Sequence, residues 1–323
     1  MKAYVIENKR LVLSDVDQPS IGENEVLIDV RAAGINRPDI FQRLGKYPPP
    51  YGVTTVPGLE VAGYIAQSQH PAWSKGDEVC ALIAGGGYAE KAKAHGDHCL
   101  RRPDHMSMEQ AASLPETFFT IWHNLFYRAD LQEGQTVLIH GGSSGIGTTC
   151  IIINKIKGIN SIVTAGTQEK CDACTTLGAQ AAINYRKDDF VEQVDRLTGG
   201  KGVNAVLDMV GGEYIERNLE CLAEDGLHVS IATLGGQKAN IPLSTIMKKR
   251  LTLTGSALRP RSDKVKAEIR LGLHQEIWPA LESREIFPVI DKIFPFEEAM
   301  QAHNKMERGT HIGKIVLTRA TLT

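Results

Sequence analysis

The sequence predicts an α/β protein, with a doubly wound parallel sheet in the second half of the chain and a smaller β-rich domain before it. Three observations carry this reading. From about Pro115, apolar strand-like runs alternate with helix-like ones, which implies parallel strands joined by crossover helices on both faces. One of these runs, Thr136 to His140 (TVLIH), breaks into a Gly/Ser turn and then resumes with helical spacing. Upstream, the short runs AYVI, VLIDVRA and EVAGYIA are separated by turn-rich segments such as QPSIGENE and SKGD, the pattern of short strands.

Size and composition fit that division. A chain of 323 residues exceeds the usual single core, so two domains are expected. Hydrophobic content of 42% with a net charge of −2 describes an ordinary globular protein, with no basic surplus to attract nucleic acid or an anionic membrane. No apolar run is long enough to span a bilayer, and MKAYVIENKRLVL has charges where a signal peptide needs an apolar core. Six cysteines (80, 99, 150, 171, 174, 221) are spread without a scaffold pattern, so reduced thiols in a cytoplasm are expected. Cys171 and Cys174 spell C-x-x-C, but on an expected helix with no proline and no partner pair.

In the first half, two stretches look unlike plain scaffold. Ala33 to Asp39 (AGINRPD) runs into IFQRLGKYPPP, and Val56 to Gly63 reads VPGLEVAG. Asn36, Asp39 and Tyr47 crowd together in sequence, and Pro48 to Pro50 stiffen the loop after Tyr47. For Asn36 and Asp39 the plainer alternative is a cap or turn former, their usual role.

In the second half, a helical segment (FFTIWHNLF) precedes the strands TVLIH, SIVTA, AAIN, NAVLD, LHVSIA and LTLTG. Helices are expected over 145–157, 168–177, 188–197 and 213–223. The stretch Thr136 to Lys157 organises the whole. Glycines in its turn allow close approach of a ligand to the backbone, and N–H groups at the following helix start face an anion. Against the dinucleotide fingerprint G-x-G-x-x-G, Gly142 and Gly147 stand at the first and third positions, with Ser144 at the second. The motif alone is weak, but it follows the strand that the fingerprint requires, and ligands of such sheets bind at the carboxyl ends of the strands.

The second strand suggests which dinucleotide. A carboxylate there would accept the ribose hydroxyl of NAD. Instead SIVTA ends in Gly166 and Thr167, which leave space and a hydroxyl, with Lys170 following as a cation. Tyr185, just past the third strand, could cover the same 2′-phosphate or the adenine. NADPH is therefore favoured over NADH. Against it stand a solvated Lys170 and an inward-turned Glu169.

From Asp263 the text is helical (DKVKAEIRLGLHQEIWPALES). PVIDKIFPFEEAMQAHNKM then reads as a strand and an amphipathic helix, and IGKIVLTRA as a final strand. A complete six-stranded sheet leaves that strand no room, so it is expected to return to the N-terminal domain.

The order β-domain, Rossmann unit and C-terminal return, with AAGINRPD, PGLEVAG, the GGSSGIG turn, DMVGG and IGKIVL, resembles the medium-chain dehydrogenase/reductase superfamily. Within it the chain resembles the zinc-free quinone oxidoreductases, most closely the p53-inducible quinone oxidoreductase-like branch. The likeness runs nearly end to end. It implies a GroES-like catalytic domain from 1–116 and 263–323 and a Rossmann NADPH-binding domain from 117–262. Where zinc alcohol dehydrogenases carry a catalytic cysteine and histidine, the aligned residues are Asn36 and Leu59, and between Gly76 and Pro103 only Cys80 and Cys99 are present. No zinc is expected. Without a Lewis acid to stabilise an alkoxide, the fitting substrates are quinones or activated enones, and the nicotinamide carries the hydride chemistry.

The resemblance also implies site residues. Gly142, Ser143, Ser144, Gly145, Ile146 and Gly147 would approach the pyrophosphate. Gly166, Thr167, Lys170 and Tyr185 would surround the 2′-phosphate and adenosine. Met209, Val210, Leu234 and Gly235 would lie along the ribose and nicotinamide, Thr120 by the carboxamide, and Lys314 would complete the cofactor cleft. Asn36, Asp39 and Tyr47 would line the substrate pocket, with Tyr47 as hydroxyl donor to a quinone oxygen or as pocket wall. His123 and His140 read as core or capping residues. A homodimer is implied, with LTLTGSAL (251–258) as the edge strand.

Two other activities fit the same scaffold. An enone or enoyl-thioester reductase would need basic residues for a CoA-like phosphate, for which Arg259, Arg261 and Lys264 are candidates unless they form a solvated face. A non-catalytic NADPH-binding or sensor protein is the other. A short-chain dehydrogenase is disfavoured, since no Tyr-x-x-x-Lys pair accompanies the glycines.

Overall fold

The computed structural model describes residues 1–319; Ala320, the last residue of the expected IGKIVLTRA strand, and the final three residues of the expected catalytic domain lie outside the described residues. The chain divides into two compact units. One comprises residues 1–119 with the described residues from Leu258 onward, and the other residues 120–257.

In the first unit, β1 (Lys2–Glu7) and β2 (Arg10–Asp15) form an antiparallel ribbon. The long strand β3 (Glu25–Ile35) is the spine of a seven-stranded sheet. It pairs with β4 (Glu60–Ser68), with β6 (Lys91–His95) and, toward its end, with β15 (Lys314–Thr318). Outward from these lie β5 (Glu78–Leu82), β7 (Cys99–Arg101) and β14 (Ile290–Pro295). The last strand of the chain thus lies against β3, in register Ile315 to Ile35. Gly34 makes this centre possible, because a Cβ there would stand 2.0 Å from the Glu60 carboxylate and 2.8 Å from the Ala112 carbonyl.

The helices of this unit are α1 (Arg37–Arg43), α2 (Met108–Ala112), α9 (Asp263–Glu276), α10 (Trp278–Glu282) and α11 (Ala299–Arg308). Helix α3 (Pro115–Ile121) and a π-helical turn, Trp122–Arg128, carry the chain into the second unit. The sequence reading did not assign a helix to 37–43. Its start is nonetheless written in Asn-Arg-Pro-Asp, with extended Asn36 as N-cap, Pro38 in the first turn, and Asp39 accepting the Asn36 backbone N–H at 2.8 Å.

The second unit is a six-stranded parallel sheet. In spatial order its strands are β10 (Ala181–Asn184), β9 (Asn160–Ala165), β8 (Thr136–His140), β11 (Val203–Asp208), β12 (Leu222–Ser230) and β13 (Thr252–Gly255). The crossovers include α4 (Gly145–Ile156), α5 (Gln168–Leu177), α6 (Phe190–Thr198), α7 (Tyr214–Cys221) and α8 (Leu243–Lys249). The direction of strand order reverses between β8 and β11, the switch point at which doubly wound sheets bind ligands. Side-chain caps at Ser144, Thr167 and Asp189 fix the starts of α4, α5 and α6, each worth about 1 kcal/mol.

Candidate active site

The first unit gathers three charged or amide side chains in a space that water does not reach. Glu60 is fully buried, and Lys314 is 3% exposed. The Lys314 ammonium donates to Glu60 Oε1 at 2.5 Å, to Asn36 Oδ1 at 2.6 Å and to the Ile35 carbonyl at 3.3 Å. Asn36 Nδ2 donates to the same Glu60 oxygen at 2.8 Å, and the Glu116 backbone N–H fills the other at 2.8 Å. Three strand or helix ends therefore meet on one carboxylate.

Asp39 belongs to a second chain of bonds. It accepts from Asn36 N, from Gly58 N at 3.3 Å and from the Tyr88 hydroxyl at 3.1 Å. Tyr88 lies 3.1 Å from His303 Nε2, and Arg43 Nε donates to His303 Nδ1 at 3.2 Å. That donation fixes the tautomer: His303 carries its proton on Nε2 and gives it to the Tyr88 oxygen, while Tyr88 gives its own to Asp39. Burial pushes His303 down to about 3, helped by Arg43, and lifts Asp39 to about 6 against the Asn36 and Tyr88 donors and the Lys314 charge. Burial and the Asp39 charge hold the Tyr88 phenol well above its usual value, so it remains a donor.

Asp39 is thus fully buried and Asn36 is 7% exposed, each bonded into the scaffold. Tyr47 is half-buried in the loop after α1, with the Arg259 guanidinium carbon 5.4 Å from its ring centroid. Burial raises its phenol. Lys314, expected at the cofactor, spends its ammonium on Glu60 and Asn36. A cavity of 670 Å³ in this unit is lined elsewhere, by residues including Thr54, Ala84, Lys93, His98 and Lys266, and none of Asn36, Asp39 and Tyr47 reaches it.

These donors do not suit zinc. The cysteine and histidine positions hold Asn36 and Leu59, and the nearest carboxylate, Glu60, is neutralised by an ammonium at contact distance. Among the described residues no other group of His, Cys, Asp or Glu is placed to hold a metal. Cys171 and Cys174 are both buried and unpaired, and burial pushes Cys174 up to about 12, so neither is a ready ligand or nucleophile.

In the second unit the turn after β8 is built by backbone. Gly141 takes the left-handed conformation, φ +71°, one residue before the first fingerprint glycine. A Cβ on Gly142 would stand 2.6 Å from Val163, and one on Gly147 only 2.4 Å from the carbonyl oxygens of Gly141 and Gly142. Ser144 caps α4, its hydroxyl accepting Gly147 N at 3.1 Å, which explains a serine at the fingerprint's middle position. Ser143 is buried beside it. Gly145 and Ile146, as first helical residues, have N–H groups with no partner inside the helix.

At the tips of β9 and β10, a Cβ on Gly166 would meet the Tyr185 hydroxyl at 2.8 Å and Arg186 Nε at 3.5 Å. Gly166 and Tyr185 are brought together as expected from their strands, and Arg186 joins them. The sequence reading passed over Arg186, though it directly follows Tyr185 at a strand tip. Thr167 caps α5, accepting Lys170 N at 3.3 Å.

Of the remaining expected residues, Met209, Val210, Leu234 and Gly235 come together. Met209 Sδ lies 2.8 Å from where a Gly141 Cβ would be. Leu234 N donates to the Met209 carbonyl at 3.1 Å and Gly235 N to that of Val210 at 2.7 Å, beside a cavity of 320 Å³. Thr120 is 8% exposed, its carbonyl accepting Asn124 Nδ2 at 2.8 Å. His140 is a core residue, bonded to Thr164 Oγ1 at 3.0 Å and Asn218 Oδ1 at 2.7 Å. Asn218 continues to His228, and His228 to Asp208, which accepts Val210 N at 2.6 Å. Burial pushes Asp208 up, but His228 and the backbone donor prevail and hold it below the usual carboxylate range.

Known proteins match both units. A family model described as the alcohol dehydrogenase GroES-like domain matches residues 22–104, and one described as zinc-binding dehydrogenase matches 177–317. The quinone oxidoreductase of Mus musculus is 31% identical over 94% of this chain and 92% of its own. The structure of Escherichia coli quinone oxidoreductase complexed with NADPH superposes with a TM-score of 0.86, at 28% identity and 98% coverage of each chain. The CurK enoyl reductase structure gives 0.87, at 26% identity and 99% coverage of each. The chain belongs to the medium-chain dehydrogenase/reductase superfamily, in the family of the quinone oxidoreductases.

Proposed function

We propose that this chain is an NADPH-dependent quinone oxidoreductase that works without zinc. The observation that carries the reading is the turn from Gly142 to Gly147, too close-packed for a side chain at either of those two glycines, in a unit whose β9 tip bears Gly166 beside Tyr185 and Arg186 rather than a carboxylate. A 2′-phosphate would be received there by an arginine and a hydroxyl. Ser143, Gly145 and Ile146 would hold the pyrophosphate, and Met209, Val210, Leu234 and Gly235 the ribose and nicotinamide. When bound, NADPH supplies hydride. The quinone oxidoreductase relatives and the NADPH-bound Escherichia coli enzyme support the same assignment.

The residues of the first unit suit an acceptor that delocalises incoming charge onto oxygen. The phenol of Tyr47, raised by burial, remains a hydroxyl donor at neutral pH. Asn36 and Lys314 are held by Glu60, and Asp39 secures the loop entering Gly58. An enone or enoyl-thioester reductase is the second reading, favoured by the likeness to CurK. The test is oxidation of NADPH by metal-stripped protein with 1,2-naphthoquinone, with NADH and crotonyl-CoA in parallel. Fast loss of NADPH, slow loss of NADH and indifference to chelator are expected. Faster turnover of crotonyl-CoA than of any quinone would transfer the assignment to the second reading.

We further propose a homodimer formed through β13, which among the described residues pairs only with β12 and leaves its other edge open. A monomeric mass at micromolar concentration would refute it. No described helix is long and apolar enough to cross a membrane. The six unpaired, buried cysteines support residence in a reducing cytoplasm, which fractionation of the source cells would test.

A further inference from the structure

Arg259 is a buried cation of the first unit whose bonding is incomplete among the described residues. It is 8% exposed. Its Nε donates to the Ala84 carbonyl at 2.7 Å, and its own carbonyl accepts from Lys266 Nζ at 3.1 Å. The guanidinium stands over the Tyr47 ring. Backbone and head are therefore both fixed, yet among the described residues Nη1 and Nη2 are buried with no hydrogen-bond partner. Those two atoms carry four of the five N–H donors of a guanidinium.

Two other buried cations of this unit differ. Arg43 places its nitrogens on His303 Nδ1, on the Lys9 carbonyl and on Glu307. Lys314 places its ammonium on Glu60, Asn36 and Ile35. A charged donor left bare in a buried site is costly, and here the cost falls on one side chain set against the residue expected to meet the acceptor. Burial pushes the Arg259 guanidinium down from its ordinary value, but an arginine stays protonated in proteins. Its charge and its fork are thus both unspent on protein partners.

We propose that Arg259 is a specificity-determining residue whose Nη1 and Nη2 bind a planar pair of substrate oxygens, either the adjacent carbonyls of a 1,2-dione or a carboxylate. The fork geometry of arginine suits two parallel acceptors, whereas Tyr47 offers one hydroxyl. Oxygens on opposite sides of a ring cannot engage the fork together. The inference rests on the quinone-reducing reading for its substrate, but its core is an oxygen-pair site that can be tested without turnover.

The kinetic test compares 1,2- with 1,4-naphthoquinone, which differ only in where the oxygens stand, in wild type, Arg259→Gln and Arg259→Lys. Arg259→Gln should raise KM for the 1,2-isomer roughly tenfold more than it raises KM for the 1,4-isomer, with the Kd for NADPH within about twofold of wild type. Arg259→Lys, which keeps charge but not fork, should fall between, and it serves alone if Arg259→Gln does not fold. Equal changes for both isomers, or none, would overturn the proposal for diones.

The binding test titrates salicylate, a carboxylate that accepts no hydride, into each protein by calorimetry. Binding to wild type that weakens about tenfold in Arg259→Gln supports the carboxylate arm. If wild type reduces no quinone, the proposed function fails, and the salicylate result alone decides Arg259. If neither the 1,2-isomer nor salicylate depends on Arg259, the proposal is wrong.

Discussion

The two units prepare for their ligands in opposite ways. In the first, the buried polar groups are charged side chains bonded to each other, such as Lys314 on Glu60 and Asn36, and Arg43 through His303 and Tyr88 to Asp39. In the second, the turn expected at the dinucleotide is shaped by glycines that admit no Cβ and by the start of α4, capped by Ser144. A network of buried charges has its stability tied to every member. A backbone surface depends instead on the absence of atoms, so it is sensitive to added methyl groups and indifferent to most polar changes.

The largest effect should come from splitting the Glu60–Lys314 pair. Lys314→Met leaves a buried carboxylate without its cation and should cost about 3–5 kcal/mol of unfolding free energy by urea titration at neutral pH. Adding Glu60→Leu to it should recover most of that loss. A single variant as stable as wild type would mean that the pair is not what closes this cluster.

Next, Gly147→Ala places a methyl group 2.4 Å from two carbonyl oxygens of the turn. NADPH affinity, followed by the cofactor's fluorescence, should fall by about 10- to 100-fold, with modest loss of stability, of the order of 1–3 kcal/mol. Ser144→Ala, which removes a cap and adds nothing, should cost only about 1 kcal/mol of stability. If the two variants bind NADPH alike, the contrast between the units is wrong.

The smallest effect is in acid. His303 is held neutral, down to about 3 from an ordinary 6.5, so the unfolded chain binds the extra proton between those values and stability falls as pH drops through that window. Asp39, raised to about 6, acts oppositely: its contribution is full below its ordinary value and is lost as pH rises through about 6. His303→Gln should flatten the decline of the unfolding free energy, measured by urea titration below pH 6, by about 1 kcal/mol per pH unit. An unchanged slope would place the acid sensitivity elsewhere.

Much of this was legible in the sequence because the signals are local. The alternation from β8 to β13, the turn at Gly142 to Gly147 and the neutral tip at Gly166 can each be read within one strand and the residues after it. Asn36 and Asp39 stood out for the same reason, as a compact motif, and the same motif announces α1. The residues that were missed answer to distant partners. Glu60 holds Asn36 from 24 residues away and Lys314 from 254 away. Tyr88 and His303 are 215 residues apart.

The sequence by itself determined the fold class, the two-part organisation, the switch-point turn and the absence of zinc-type ligands at Asn36 and Leu59. These follow from periodicity, from glycine's freedom and from side-chain chemistry, all properties of short segments. Only the tertiary structure decided that Lys314 is the counter-ion of Glu60, that Asp39 ends a bonded chain reaching Arg43, and that Arg259 keeps two nitrogens bare beside Tyr47. Such facts depend on which strands lie together, since burial makes a charge find a partner and the fold alone decides which partner is within reach.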